Sequence, residues 1–287
     1  MKGLSILILL VGGLLQAAQP LTKLPNCVLV PTEWADGDSF LIRTSDGNEH
    51  TVRLYGTDCI EARVTDNSDA RRLRSQRRYF GISEAGGSPQ SSIAIAKDFG
   101  EKAAQRTVAL LQQPFTVYTA FSDARGDGRY KRIYAFVTTA EKRDLASQLV
   151  GEGLARAFGV YRETPNKDHA DTYREELRDL ELQAAKRGAG VWAKTDWEKL
   201  PAERRLERSE EAELALATDA GSSIEPNSID PNTAARDELM RLPGIGEVTA
   251  NAIIENRPFK SIDELTRVSG IGPKTLERIR GSLRIGE

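Results

Sequence analysis

Two short runs of strand-forming residues, Phe40-Leu41-Ile42 and Thr51-Val52-Arg53-Leu54-Tyr55, flank the polar stretch Ser45-Asp46-Gly47-Asn48. Asp-Gly between apolar, β-branched runs is a strong short-range signal for a β-hairpin. Antiparallel pairing brings the start of one strand beside the end of the other. Asp38 precedes the first run and Asp58 follows the second, so the hairpin is expected to bring them together. Arg53 lies in the second strand, and Glu61 follows Asp58 closely. That set suits phosphodiester hydrolysis. Hard divalent ions take carboxylate oxygens, a carboxylate can take a proton from water, and a guanidinium fork matches two phosphate oxygens. Singly, each residue has an ordinary explanation, because Asp-Gly-Asp is commonly a turn and a strand arginine commonly a surface residue. The ordered set carries the inference.

A length of 287 residues sets an expectation of about two domains. The net charge of −2 confines any nucleic-acid footprint to a local patch. The N-terminus joins Met1-Lys2 to an apolar run from Leu4 to Leu15 and then to Gln16-Ala17-Ala18-Gln19. This is the pattern of a secretory signal over residues 1–18, and the run is short for a membrane span. An exported protein is expected, whether periplasmic, cell-surface or secreted. The cleavage site is imperfect, so a retained signal anchor stays open; no other stretch is apolar enough to cross a bilayer. Export would put Cys27 and Cys59 in an oxidising compartment, which leaves a disulfide and two separate buried thiols as alternatives. The only histidines are His50 and His169, so no Cys/His zinc pattern exists.

Beyond the hairpin, helical spacing of Phe99, Ala103, Arg106 and Leu110 predicts a helix over 94–111. Strands are expected at 115–121 and 133–137, and helices at 145–152 and 173–186. About five strands with interspersed helices suit a small OB-type barrel. Residues 62–95 form a long connection carrying Arg71, Arg74 and Arg78 roughly on one helical face. A basic flap over the substrate is one reading; a solvated surface helix and loop is the favoured one. Residues 198–227 read as a charged helix fraying into a linker. Residues 228–287 hold an internal repeat. Leu242-Pro-Gly244-Ile245-Gly246-Glu-Val-Thr249 returns 26 residues later as Val268-Ser-Gly270-Ile271-Gly272-Pro-Lys-Thr275. Each unit reads as helix, tight glycine turn, helix.

The series Asp36-Gly37-Asp38-Ser39, Arg53-Leu54, Gly56-Thr57-Asp58-Cys59-Ile60-Glu61 and Arg129-Tyr130-Lys131-Arg132 resembles the staphylococcal nuclease family over residues 27–195. The resemblance implies a five-stranded OB-type β-barrel with helices. It also implies that calcium is bound by Asp38, Asp58 and the main-chain carbonyl of Cys59. Glu61 would be the general base, Arg53 and Arg132 would grip the phosphate, and Tyr130 and Tyr161 would line the nucleotide pocket. Either tyrosine could equally be packing, and Arg125 and Arg129 are rivals to Arg132. Cleavage of DNA and RNA leaving 3′-phosphates is the family's reaction. Cys59 departs from a common threonine, which a backbone ligand tolerates, and Ile60 stands where the family often has proline.

The duplicated Gly-Ile-Gly turns resemble a tandem helix-hairpin-helix domain, as in DNA-repair proteins and competence-type DNA receptors. Gly244, Gly246, Gly270 and Gly272 would let phosphate approach the free N–H groups of the following helices, with Lys274 as a phosphate partner. The isoleucines would plug the hairpin core. The fold class is thus α+β, a β-barrel nuclease domain followed by a small all-α domain. The expected function is a calcium-dependent nuclease acting on DNA, with RNA left open and no small-molecule cofactor. A non-catalytic extracytoplasmic DNA-binding or uptake receptor is the alternative.

Overall fold

The computed structural model describes residues 20–124, 132–219 and 225–286. The signal-like segment at 1–18 lies outside the described residues, as do Tyr130, Arg125 and Arg129. Five strands close into a barrel: β1 (Thr22–Val30), β2 (Ser39–Arg43), β3 (Glu49–Leu54), β5 (Phe115–Asp123) and β6 (Ile133–Thr138). They pair in the order β1-β2-β3-β6-β5, with β5 returning to β1. Only the β3–β6 pair is parallel. The expected hairpin is β2–β3, in register from Ser39 opposite Arg53 to Arg43 opposite Glu49. Its turn places Gly47 at φ 87°, a left-handed conformation that glycine takes without a Cβ clash. Alternation along the strands turns Phe40, Ile42, Val52 and Leu54 into the core beside Val117 and Val137.

Two short strands stand apart from the barrel. In β4 (Thr57–Cys59) and β7 (Ala155–Ala157), Asp58 faces Arg156 across an antiparallel pair. Asp58, which follows the hairpin, is therefore itself a strand residue.

The long connection after β4 folds into α1 (Asn67–Phe80), which runs on through a short 3-10 turn to α2 (Pro89–Leu110). Asp66 caps α1 by accepting from the N–H groups of Ser68 and Asp69, and Gly81, at φ 65°, ends it. Asp69, Leu73, Gln76 and Phe80 form its buried face at helical spacing. Leu73 and Phe80 join Ile60, Phe99, Val191 and Trp192 in a second apolar core outside the barrel. Helices α3 (Leu145–Gly151) and α4 (Ala170–Lys186) pack against each other beside the barrel. Pairing within the protein occupies most of the basic cluster, so the favoured reading of a solvated surface helix and loop gives way to a helix with a buried face and paired arginines. Arg77 bonds Ser92 and the Ser83 carbonyl, and Arg78 bonds Glu207 and Glu210. Those glutamates belong to α5 (Leu200–Asp219), the charged helix expected at the start of 198–227, which packs along α1.

The C-terminal domain is helical, with α6 (Arg236–Leu239), α7 (Glu247–Glu255), a 3-10 segment at Ile262–Arg267 and α8 (Pro273–Arg280). Leu239, Leu242, Ile253, Leu265, Val268 and Ile279 fill its core, and Ile245 and Ile271 plug it from the two turns. Among the described residues no helix is long and apolar enough to cross a membrane.

Candidate active site and nucleic-acid surface

The β2–β3 register sets Arg53 opposite Ser39, and so beside Asp38. The Leu54 N–H donates to the Asp38 carbonyl at 2.9 Å, fixing the entry to β2 against the exit of β3. Asp36 shapes the turn before them: its Oδ1 accepts from the N–H groups of Ser39 (2.6 Å) and Asp38 (3.1 Å). Arg53 sits between two carboxylates, with Nη2 2.7 Å from Asp58 Oδ1 and Nη1 3.3 Å from Asp38 Oδ1. The other Asp38 oxygen accepts from the Cys59 N–H at 2.6 Å. Asp38, Arg53, Asp58 and Cys59 are all buried, and Glu61 follows at the rim of the same centre.

Sequence reasoning missed three contributors. Arg156, buried on β7, donates from Nε to Asp58 Oδ2 at 2.8 Å. Gln76, buried on α1, donates to the same oxygen at 3.0 Å and to the Cys59 carbonyl at 2.8 Å. Arg72, one turn earlier, brings Nε to 3.3 Å from Glu61 Oε1 without hydrogen-bond geometry, while its Nη2 bonds Asp69. A signal for Gln76 did exist: a polar residue in the stripe that buries Leu73 and Phe80. Arg156 had none, because its role arises from a strand pair almost a hundred residues apart in sequence.

The electrostatics separate the acids. Burial alone would lift Asp58, but the guanidiniums of Arg156 and Arg53, with the Gln76 hydrogen bond, hold it well below the usual carboxylate range. Burial pushes Asp38 up to about 7 against the pull of Arg53, and the neighbouring Asp36 and Asp58 add to the rise. Burial likewise lifts Glu61 to about 7, opposed chiefly by Arg72. Arg132 leads into β6 and is held below its ordinary value by burial and then by the like charges of Arg53 and Arg72, with Asp36 opposing. Its Nε is buried without a hydrogen-bond partner among the described residues. Arg53 and Arg72 are both ion-paired, so carboxylates stand beside these guanidiniums and offset their charge.

The oxygens of Asp38, Asp58 and the Cys59 carbonyl are hard donors of the kind calcium takes. They number two carboxylates and one carbonyl, and among the described residues no group of three or more acidic, histidine or cysteine side chains is placed to hold a metal. The set fits in kind a cation that completes its shell with water and substrate oxygens. Its members already serve Arg53, Arg156 and Gln76. Cys27 and Cys59 are free buried thiols, so the two-thiol alternative describes this structure.

Tyr161 is buried, with its ring under the Arg174 guanidinium at 4.5 Å and edge-on to Tyr173. It packs where the resemblance implies a nucleotide platform. Its N–H donates to Glu255 at the end of α7 (2.8 Å), and Arg174 pairs with the same carboxylate at 3.1 Å, joining the two domains. In the C-terminal domain Gly244 and Gly270 have φ of 78° and 94°. Gly246 and Gly272 are the exposed caps of α7 and α8, and Lys274 is exposed in the first turn of α8. A Cβ on Gly244 would meet Arg278 at 2.7 Å, and one on Gly270 would meet Thr249 at 2.9 Å. Each glycine turn thus packs on the helix that follows the other, as a duplicated hairpin requires.

Comparison with known proteins agrees with this architecture. The sequence model of the staphylococcal nuclease homologues matches residues 51–194, and that of the helix-hairpin-helix motif matches 226–284. The first match begins after β2, so Asp38 is placed by the hairpin register and not by the match. The chain is 35% identical over 82 residues to "ComE operon protein 1" of Bacillus subtilis (strain 168), covering 25% of this chain and 40% of that one. It is 43% identical over 56 residues to a "Deoxyribonuclease" of Thioalkalivibrio sp. (strain K90mix), covering 20% and 16%. Over 61 residues it is 36% identical to "Endonuclease/exonuclease/phosphatase family domain-containing protein 1" of Mus musculus, covering 20% and 11%. The chain thus spans less than half the length of each of these relatives. With the closed barrel, the buried acid–arginine centre and a match over half of its length, the chain belongs to the staphylococcal nuclease homologues and carries a helix-hairpin-helix domain after its nuclease fold.

Proposed function

We propose that the protein is an exported, calcium-dependent nuclease that hydrolyses phosphodiester bonds of DNA with low sequence specificity. The observation that carries this reading is the meeting of four charged groups: Asp38 at the entry to β2, Arg53 on β3 and Asp58 on β4, buried together, and Glu61 at their rim. A barrel used only as a scaffold has no need to bury three charged groups beside a fourth. Glu61, with its pKa lifted to about 7, is suited to take a proton from the attacking water near neutral pH. Arg132, whose buried Nε has no hydrogen-bond partner among the described residues, and Arg53 would stabilise the charge that grows on the phosphate oxygens. Asp58 holds Arg53 in place by its 2.7 Å ion pair. Calcium, when bound, would supply Lewis-acid polarisation of the phosphate. The C-terminal glycine turns would hold the backbone without reading bases. Export rests on the signal-like composition of residues 1–18.

The C-terminal domain by itself supports a second reading, a DNA-binding protein without catalysis. One experiment separates the two. Labelled single-stranded DNA is incubated with the wild type and with Glu61→Gln, in calcium and in chelator, and product ends are analysed. Calcium-dependent cleavage is expected, with kcat about 100-fold or more lower in the variant and DNA retention unchanged. A wild type that retains DNA but never cuts it would establish the binding protein. A fully active variant would remove Glu61 from the role of base.

A further inference from the structure

Gln76 makes three hydrogen bonds with one amide, and all three reach the segment that carries the proposed chemistry. Its Nε2 donates to Asp58 Oδ2 at 3.0 Å and to the Cys59 carbonyl at 2.8 Å, and its Oε1 accepts from the Glu61 N–H at 2.9 Å. The residue is 0% exposed, so no water competes for these bonds. A primary amide has two N–H donors and one carbonyl, and here both ends are engaged. Only one orientation works. Flipped, the amide would point its N–H groups at the Glu61 N–H and its oxygen at two other oxygens. Ile60, the residue between those groups, is anchored by its side chain in the second core together with Leu73 and Phe80 from the same helix face. One face of α1 therefore grips residues 58–61 by backbone, carboxylate and apolar side chain. α1 belongs to the long connection at 62–95.

We propose that Gln76 is a positioning residue for phosphodiester hydrolysis, holding Asp58, Cys59 and Glu61 in one fixed arrangement; the proposal rests on the nuclease reading. Because it acts on groups beside the reacting phosphate, its loss should lower kcat and leave KM nearly unchanged. A misplacement of about 1 Å among such groups costs about 100-fold in rate.

The test uses the full chain and single-stranded DNA. Gln76→Met keeps the volume and removes all three bonds. Gln76→Glu keeps the shape but sets an acceptor against the Cys59 carbonyl and the Asp58 carboxylate. Arg71→Ala, exposed on the same helix, is the control. Thermal unfolding and amide hydrogen exchange of residues 58–61 are measured beside kcat and KM. We expect kcat about tenfold to 100-fold lower in Gln76→Met and lower still in Gln76→Glu, with KM within about twofold and faster exchange confined to the 58–61 segment. Should the Met variant not fold, Gln76→Asn keeps the amide, shortens its reach and is expected to show the same split. A folded variant with wild-type kcat would overturn the proposal, as would a rate loss explained by the unfolded fraction with unchanged exchange at 58–61. If the wild type itself does not cleave, the nuclease reading fails separately. The exchange data then decide alone: faster exchange at 58–61 supports the holding role, and unchanged protection ends it.

Discussion

A Cβ on Gly100 would lie 2.4 Å from the Ile60 carbonyl oxygen and 2.7 Å from the Ala62 nitrogen. α2 therefore packs directly on the backbone of the segment that presents Glu61, and no side chain can stand between them. Backbone cannot yield as the tip of a flexible side chain does. Gly100→Ala is expected to destabilise the fold by about 1–3 kcal/mol through overpacking, a Tm loss of about 2–4 °C for each kcal/mol at this size. The surviving folded protein should also cleave more slowly, since the strain lands on Ile60 and Ala62, either side of Glu61. Calorimetry and single-stranded DNA kinetics on one preparation would check both. At this scale Asp38, Arg53, Asp58 and Glu61 were legible because they are close in sequence and a hairpin joins them. Arg156, which saturates Asp58 from β7, was not, because nothing local links Asp58 to residue 156.

Among the elements, the pair α1 and α5 decides more than the charge pattern suggests. Arg78 is shared by Glu207 and Glu210 at 2.7 Å each, and Arg204 bonds the Tyr79 carbonyl at 2.9 Å while lying over the Tyr79 ring. Leu200 packs on Gly81, at the end of α1. α5 thus lies beyond the family match yet braces the helix that holds Gln76. A chain ending at residue 195 should unfold at lower temperature than one ending at 219. Each of these polar contacts is worth up to about 1 kcal/mol, and the lost packing of Leu200 on Gly81 adds to the expected loss. Equal melting temperatures would show that α5 is an appendage. The charged helix expected at the start of 198–227 is α5, but its packing on α1 was not legible for a physical reason: a helix of mixed charge looks solvated until its partner helix is known.

For the whole molecule, a net charge of −2 leaves no general attraction for nucleic acid, so affinity must come from local surfaces. The C-terminal domain meets the nuclease domain at Glu255, held by the Tyr161 N–H and Arg174. Removing residues 225–287 is expected to raise KM for long single-stranded DNA by about tenfold while kcat stays within about threefold, since tethering raises local substrate concentration without touching the chemistry. The salt dependence of binding should flatten as well, by about 0.7 in slope for each phosphate that the shortened protein no longer neutralises. Unchanged KM and salt slope would mean that this domain serves some other ligand.

By itself the sequence determined the α+β class, the β2–β3 hairpin, the duplicated glycine turns and the acids and arginine of the centre. Those follow from local periodicity, turn chemistry and short-range spacing, which need no knowledge of distant contacts. Tertiary structure alone decided that Asp58 is a strand residue paired with Arg156, that Tyr161 is buried under Arg174, and that α1 sends Gln76 into the site. Each of these depends on segments far apart in the chain meeting in a water-poor interior. There an unpaired charge or amide is costly, so packing dictates which partner a polar group finds.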